Sequence, residues 1–442
     1  MAEGGVNNIS LENLTGKVRY NQGNFYLDKL NFILGDTGQI SINGIYNRNH
    51  NYSFYLEGYY IDLALFQEMG IRGVEAFSPM SAMELSGRLN IMANLIGNGL
   101  ALDQLLASGE LEIVEPGIHL PLSEFNFNKL RSSFYLTGRR LLLREGELLG
   151  QWGKLAFGGE LGPALNLHFH GDSLNLATLA AESGLKIESE PGLKGKLELN
   201  GIVRGNLASP TLELVLASEE GSLYGIHYDS LTARLNYFAR ELSIEELALN
   251  YMDNLIQGTA SVGFLSGTPI VNASISSDSL DLKTILNIAG GELRGIPLKG
   301  TLAAKMNIAG PLEQPEIYIS GKSDNTGLYI NNQEILFDDF FFSLKKKEKA
   351  FQLEEFLLKK ADAFLTAGGM ISGKELALAY RLEDLSLTDF YGSFFRDGLE
   401  GRINIEGQVS GSLLDPAISG SLDVWNLLYQ DKPLGFIQGN LY

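Results

Sequence analysis

Cysteine is absent from this 442-residue chain, which removes disulfide frameworks and thiolate metal sites from consideration. Basic charge is scarce: 34 Lys and Arg stand against 53 Asp and Glu, a net charge of −19. Such a balance disfavours duplex nucleic acid as a partner, because that binding depends on cations that neutralise phosphates. It equally disfavours lying flat on an anionic bilayer. Long apolar runs are missing too. No stretch approaches the roughly 18 consecutive apolar residues of a membrane-spanning helix, and the opening residues form neither a basic nor an apolar leader. Proline is sparse, at 12, while glycine reaches 51, a ratio that points to many strand corners rather than to a linker or a collagen. Both ends read as cut, since Gly435–Tyr442 stops in the middle of an alternating run. The chain is expected to be a piece of a longer protein.

What the sequence does contain is an internal repeat. The stretch Leu193–Leu216 returns from Leu298 and again from Leu399. Aligned on their first glycines (Gly195, Gly300, Gly401), the copies share a second glycine ten residues on (Gly205, Gly310, Gly411) and a proline five further (Pro210, Pro315, Pro416). A fainter copy has Gly87 and Gly97, with Leu102 in the proline's place. The period of roughly a hundred residues argues for one array of repeats rather than separate globules. Its parts are 1–85, a partial first repeat; 86–192; 193–297; 298–398; and 399–442, the truncated start of a fifth.

Each copy reads as strands that alternate with period two. Alternation puts Leu197, Leu199, Leu212, Leu214, Leu216, Leu235, Tyr237, Leu247, Leu249, Leu302, Ile308, Phe340, Phe342, Leu353 and Phe364 on one apolar face. Lys196, Glu198, Glu213, Arg234 and Glu354 then point to water. A change of phase at Glu354-Glu355 suggests a bulge. Ser222–Tyr228 and Glu334–Lys346 each read as one strand. Short helices are expected over Ile61–Ile71 and from Leu174, Leu280 and Leu385, one per repeat. Tight turns between successive strands make them antiparallel. The fold class is therefore all-β with a few short helices. An antiparallel sheet with one apolar face must bury it, and one short helix per repeat is too small a cover. Either the sheet folds over on itself as a sandwich, or it curls into an elongated repeating β-groove, an open apolar trough filled by something else.

Catalytic chemistry is not legible. No nucleophile elbow, dinucleotide loop or Walker loop occurs, so no enzyme activity, cofactor or metal is expected. His168 and His170 share a strand face near Asp172, but strong metal signals carry three or four ligands; they read as a polar strand face. The run Lys345, Lys346, Lys347, Glu348, Lys349 would suit phosphate headgroups, yet reads better as a solvated hairpin turn. A carbohydrate-acting β-helix enzyme would need short regular coils and a carboxylate pair, and neither is present.

The glycine, glycine, proline corner (Gly195, Gly205, Pro210 and their partners), followed by strands and a short helix opened by Asp281-Leu282, resembles the repeats of the TamB and AsmA-like proteins of diderm bacteria. Ser386-Leu387 and Leu102 depart from the pattern. The resemblance covers about residues 13–442. It implies a long β-groove in the periplasm, on a protein anchored in the inner membrane, that carries phospholipid to the outer membrane as bridge-type lipid transfer proteins do. Acyl chains would lie inside and headgroups in water. The alternative it implies is a scaffold for assembly of outer-membrane β-barrels or autotransporters, with an outer-membrane partner of the TamA-like barrel-insertase type.

The array reading predicts a dimension. Some 35 strands stacked at about 4.8 Å would make a rod on the order of 150 Å long. A compact chain of this length has a radius of gyration of about 22 Å. Small-angle scattering is expected to give a clearly larger value, and a value near 22 Å would end the elongated reading.

Overall fold

Alternating side chains joined by two-residue turns give hairpins, and hairpins added edge to edge give the fold. The structure, a computed structural model, describes residues 4–6, 9–65, 84–99, 102–120, 123–138, 140–182, 193–206, 209–223, 226–264, 268–283, 298–330, 333–347, 350–372, 375–390, 399–412 and 415–441. They are overwhelmingly antiparallel strand, as the alternation predicts. The chain divides into two compact units, Met1–Ala239 and Arg240–Tyr442, a division that falls inside the third expected repeat.

In the first unit each strand generally pairs with the next in sequence, as Asn24–Leu34 does with Gly38–Asn47, and Ser209–Leu223 with Ile226–Phe238. Leu106–Leu120 pairs mainly with Lys129–Thr137 and only over its last residues with Ser123–Asn126. The second unit follows the same rule from Glu241–Tyr251 to Lys432–Leu441. There Glu316–Ser323 pairs with Asp339–Lys347, while the intervening Thr326–Ile330 and Gln333–Phe337 form a small separate sheet with Leu298–Lys299. Among the described residues, no pairing returns from the last strand of a unit to its first, so neither is a closed barrel.

Successive repeats are joined by one recurring cross-strand pair. Ile61 stands opposite Leu89, Leu174 opposite Leu197, Leu280 opposite Leu302, and Leu385 opposite Ile403. The second partner always lies two residues after the repeat's first glycine. Leu174 and Leu302 are the most completely buried large side chains. The ladder shifts register just before each first partner, between Gly58 and Ile61, Gly171 and Leu174, Ser277 and Leu280, and Leu382 and Leu385. Such a bulge returns a residue three positions on to the same face. Tyr60 and Asp384 take positive φ there, 57° and 54°. Their N–H groups donate to Asn90 Oδ1 (2.9 Å) and Asn404 Oδ1 (2.8 Å) on the adjoining strand, as Lys29 N–H does to Asn43 Oδ1 (2.7 Å). A donor turned out of the ladder is thereby satisfied.

The first glycine has a steric reason. Gly195 and Gly300 have φ of 137° and 119°, and a Cβ on them would stand 3.2 and 2.3 Å from the carbonyl oxygens of Glu220 and Asn325, where the proline strand bends. The prolines sit at strand starts. Pro210 and Pro416 face Gly205 and Gly411, and Pro315 precedes Glu316–Ser323. A missing N–H is tolerated there.

Three sequence expectations need correction. The strands run through Asp62, Asn175, Asp281 and Ser386 before any helix begins. The Asp or Asn is a cap: Asp62 Oδ1 accepts from Ala64 N–H (2.9 Å) and Asn175 Oδ1 from Thr178 N–H (3.0 Å). The helix Leu176–Glu182 and the 3-10 turn Leu387–Phe390 follow; the continuations beyond 65 and 283 lie outside the described residues. Ser222–Tyr228 is not one strand but the end of Ser209–Leu223 and the start of Ile226–Phe238. Glu334–Lys346 is broken at Asp338, whose N–H donates to Lys359 O (2.9 Å) and whose carboxylate accepts from Ala361 N–H (2.6 Å). The chain passes there from the small sheet to the large one.

One buried cluster, Ala93, Ala107 and Phe134, lies within the sheet across three neighbouring strands, and two others gather where helices meet the sheet. Trp152, Leu174 and Leu197 form one cluster with Phe127, Leu176 and Leu179 around it; Leu387, Val424 and Leu427 form another with Leu399, Ile403 and Leu422.

Glycine packing is directly testable. A Cβ at Gly321 would stand 2.4 Å from the Phe342 ring, whereas one at Gly263 would meet nothing within 4 Å, and neither glycine has positive φ. Gly321→Ala is expected to lower stability by about 1–3 kcal/mol through overpacking. Gly263→Ala should be neutral or stabilising by up to about 1 kcal/mol. Urea denaturation measures both, and Phe342→Leu should relieve part of the Gly321→Ala loss.

Candidate functional site

The feature that chemistry must explain is the apolar face. In the first unit, Leu155, Gly171, Leu199, Leu216 and Ala233 lie opposite one another in turn. Phe157, Phe169, Gly201, Leu214 and Leu235 form the next row, and Leu167, Val203, Leu212 and Tyr237 a third. The second unit does the same with Phe342, Phe356, Ala367, Tyr380 and Gly407, and with Phe340, Leu358, Leu365, Leu382 and Ile405. Leu247 faces Gly258, Leu249 faces Ile256, and Ile308 lies between Ala273 and Ile317.

Leu197, Leu302 and Leu353 are buried, and Leu199, Leu212, Leu214, Leu216, Leu235, Tyr237, Leu247, Leu249, Ile308, Phe340 and Phe342 are half-buried. Lys196, Glu198, Glu213, Arg234 and Glu354 are exposed. The register shift between Leu353 and Phe356 falls at Glu354-Glu355. Phe364 does not join the others. It stands opposite Lys359 and Glu383, on the face of Thr366, because the apolar-face positions of its strand are Ala363, Leu365, Ala367, Gly369 and Ile371.

One contact recurs across this face. Phe54, Phe134, Phe157, Phe169, Phe342 and Tyr380 each stand opposite a glycine, respectively Gly44, Gly109, Gly146, Gly201, Gly321 and Gly407. A Cβ on Gly201 would fall 2.3 Å from the Phe169 ring, and one on Gly146 would fall 2.5 Å from Phe157. At Gly146, Gly201 and Gly321 the rings therefore lie down over neighbouring backbone instead of standing off the sheet. Among the described elements, strands pack chiefly on ladder neighbours, and helical turns make few contacts with them.

The other face is polar. Asn90, Glu112, Arg131 and Glu147 follow one another in register across four strands of the first unit. Lys129 pairs with Glu112 at 2.5 Å, and Arg131 and Lys154 both pair with Glu147. The hydrogen bond from Lys129 holds the Glu112 carboxyl below its ordinary range. Lys154 first, then Arg131, do the same for Glu147. His168 and His170 are exposed on this face, with His170 Nδ1 2.7 Å from Asn200 Oδ1. No group of three or more His, Asp and Glu is arranged to hold a metal among the described residues. No helix among them is long and apolar enough to cross a membrane.

Sequence reasoning missed the asparagines that hold the bulges, although Gly87-Arg88-Leu89-Asn90 and Gly401-Arg402-Ile403-Asn404 are a legible pair. It also missed Tyr228, buried over Gly195 and Gly221 with its hydroxyl 2.8 Å from Ser218 Oγ. In comparisons with known proteins, no protein-family model, no curated protein and no solved structure matches the chain.

The depressed carboxyls set a pH dependence. A carboxyl whose affinity for protons is lowered on folding adds stability above its unfolded value, about pH 4.3. It loses that contribution as pH falls through the folded value. Thermal melting of the first unit is expected to drop on acidification below that point, and Glu147→Gln should make the drop shallower. The change should be small, because these pairs are largely solvated.

Proposed function

We propose that this chain is part of a bridge-type lipid transfer protein of the TamB and AsmA-like kind, whose sheet curls into a groove that carries phospholipid acyl chains. The observation that carries the reading is the apolar face itself, repeated from strand to strand with no second layer upon it among the described residues. An antiparallel sheet tolerates water on one face, not on both, and here the polar face already takes the solvent. Uncovered apolar surface of this extent is a binding surface. Acyl chains suit it, because they need no hydrogen bonds and accept any register along the rows.

No reaction is required. The chain excludes water from the acyl tails and lets them slide, while the polar face stays solvated. In the full-length protein, an inner-membrane anchor would hold the groove in the periplasm, and a TamA-like protein would receive it at the outer membrane.

Two measurements test this. Native mass spectrometry of purified material should show co-purifying phospholipid. A lipid-free protein that captures unfolded β-barrel segments would instead favour a scaffold acting by β-augmentation. In photocrosslinking with a labelled lipid, Phe342→Asp and Leu214→Asp should block occupancy, since desolvating an unpaired carboxylate costs several kcal/mol. Glu213→Lys, on the opposite face, should leave it unchanged, with far-UV circular dichroism alike in all three. Equal occupancy in Leu214→Asp and Glu213→Lys would overturn the proposal.

A further inference from the structure

The apolar face of the second unit is nearly free of charge. Among the described residues its strands carry ionisable cations there at Lys346, at Lys360 and at Lys432, which opens its strand opposite Tyr429 and is exposed. Lys360 ends its strand beside the Ala361-Asp362 turn, at the rim where helical turns and the small sheet lie. Lys346 is at the other rim, one residue from the end of Asp339–Lys347. It stands between Ile317 and Phe351, in the row that continues to Ile308 on one side and Ile371 on the other. The sequence alone reads this lysine as part of a solvated turn. Its neighbour Lys345 does face the polar side and pairs with Glu316 at 3.3 Å. Lys346 is half-buried and has no ion-pair partner among the described residues.

Acidic residues outnumber basic ones by 53 to 34, so a cation on the apolar face without an ion-pair partner among the described residues is not for want of carboxylates. From the proposed lipid path, on which this inference rests, we infer that Lys346 binds the phosphodiester of a phospholipid headgroup at the groove's rim while the tails lie along the adjoining apolar rows. The position fits an amphiphile. The stem crosses apolar surface, the ammonium reaches the edge where a headgroup would meet water, and a point cation suits a phosphate that must also leave.

The test uses the whole chain incubated with mixed micelles of phosphatidylglycerol or of diacylglycerol, which has the same tails and no phosphate, with bound lipid counted by native mass spectrometry. Lys346→Gln is expected to cut phosphatidylglycerol occupancy about three- to tenfold, the range of a partly solvated charge-assisted contact. Diacylglycerol occupancy should not change, and Lys345→Gln should leave both lipids unaffected. Raising the salt should narrow the gap between wild type and Lys346→Gln. Equal losses in the two lysine variants, or none in Lys346→Gln, would overturn the assignment. Displacement of phosphatidylglycerol by glycerol 3-phosphate, without tails, would make the site one for free phosphate and overturn the lipid source. Uptake of diacylglycerol without phosphatidylglycerol would leave the groove standing and remove the headgroup contact. Uptake of neither lipid would remove the groove itself, and the contact with it.

Discussion

An aromatic ring laid over a glycine of the next strand is the contact on which the apolar face depends. A sheet without a facing layer has nothing to interdigitate with, so a ring that stood upright would present most of its surface to water. Lying flat, it covers the backbone of the neighbouring strand and hides one of its own faces. That posture requires the opposite position to have no Cβ, which is why Phe169 faces Gly201 and Phe342 faces Gly321. Part of the glycine excess in the composition therefore belongs to strand interiors, where glycine ordinarily weakens a sheet.

Covering a face in this way demands that its phase never slip. A one-residue error would put leucines into water and glutamates among the rings, yet the strands change phase at each repeat junction. The bulges reconcile the two demands: Gly171 and Leu174 are three apart and still share a face, as do Gly58 and Ile61. At two junctions the backbone donor that the bulge turns outward is taken up by Asn90 or Asn404. The junction pair itself, Leu174 with Leu197 or Leu280 with Leu302, lies where the strand ends meet helical turns, so the most buried residues secure the places where register is most at risk.

How much of this could be read from sequence depended on side-chain size. Where large residues alternate, as in Leu212, Leu214 and Leu216, the face was legible. Where the apolar-face residues are small because a neighbour's ring lies over them, it was not. Ala367 lies between Phe356 and Tyr380, and its strand's largest residue, Phe364, therefore pointed the reading to the wrong face. Lys346 was hidden by the opposite bias, since a basic run reads as a turn whatever face each member occupies. The strand break at Asp338 had no local signal, being set by tertiary hydrogen bonds, whereas the break within Ser222–Tyr228 was marked by Gly225, a turn signal that the alternation around it obscured.

The two faces divide the work of the fold. Ion pairs such as Glu147 with Arg131 and Lys154 lie in solvent and contribute little energy, but they tie three adjacent strands in one register and oppose slippage. Stability comes instead from the backbone ladder and from the buried clusters, two at strand ends around Leu174 and around Leu387, and a third of Ala93, Ala107 and Phe134. Only the cluster of Ala93, Ala107 and Phe134 lies in the middle of the apolar face. A protein stabilised this way can leave that surface uncovered and still fold, whereas in a two-layer protein the same surface would have to serve as the core. Outside that one cluster the apolar face is, among the described residues, free of the contacts that hold the fold together.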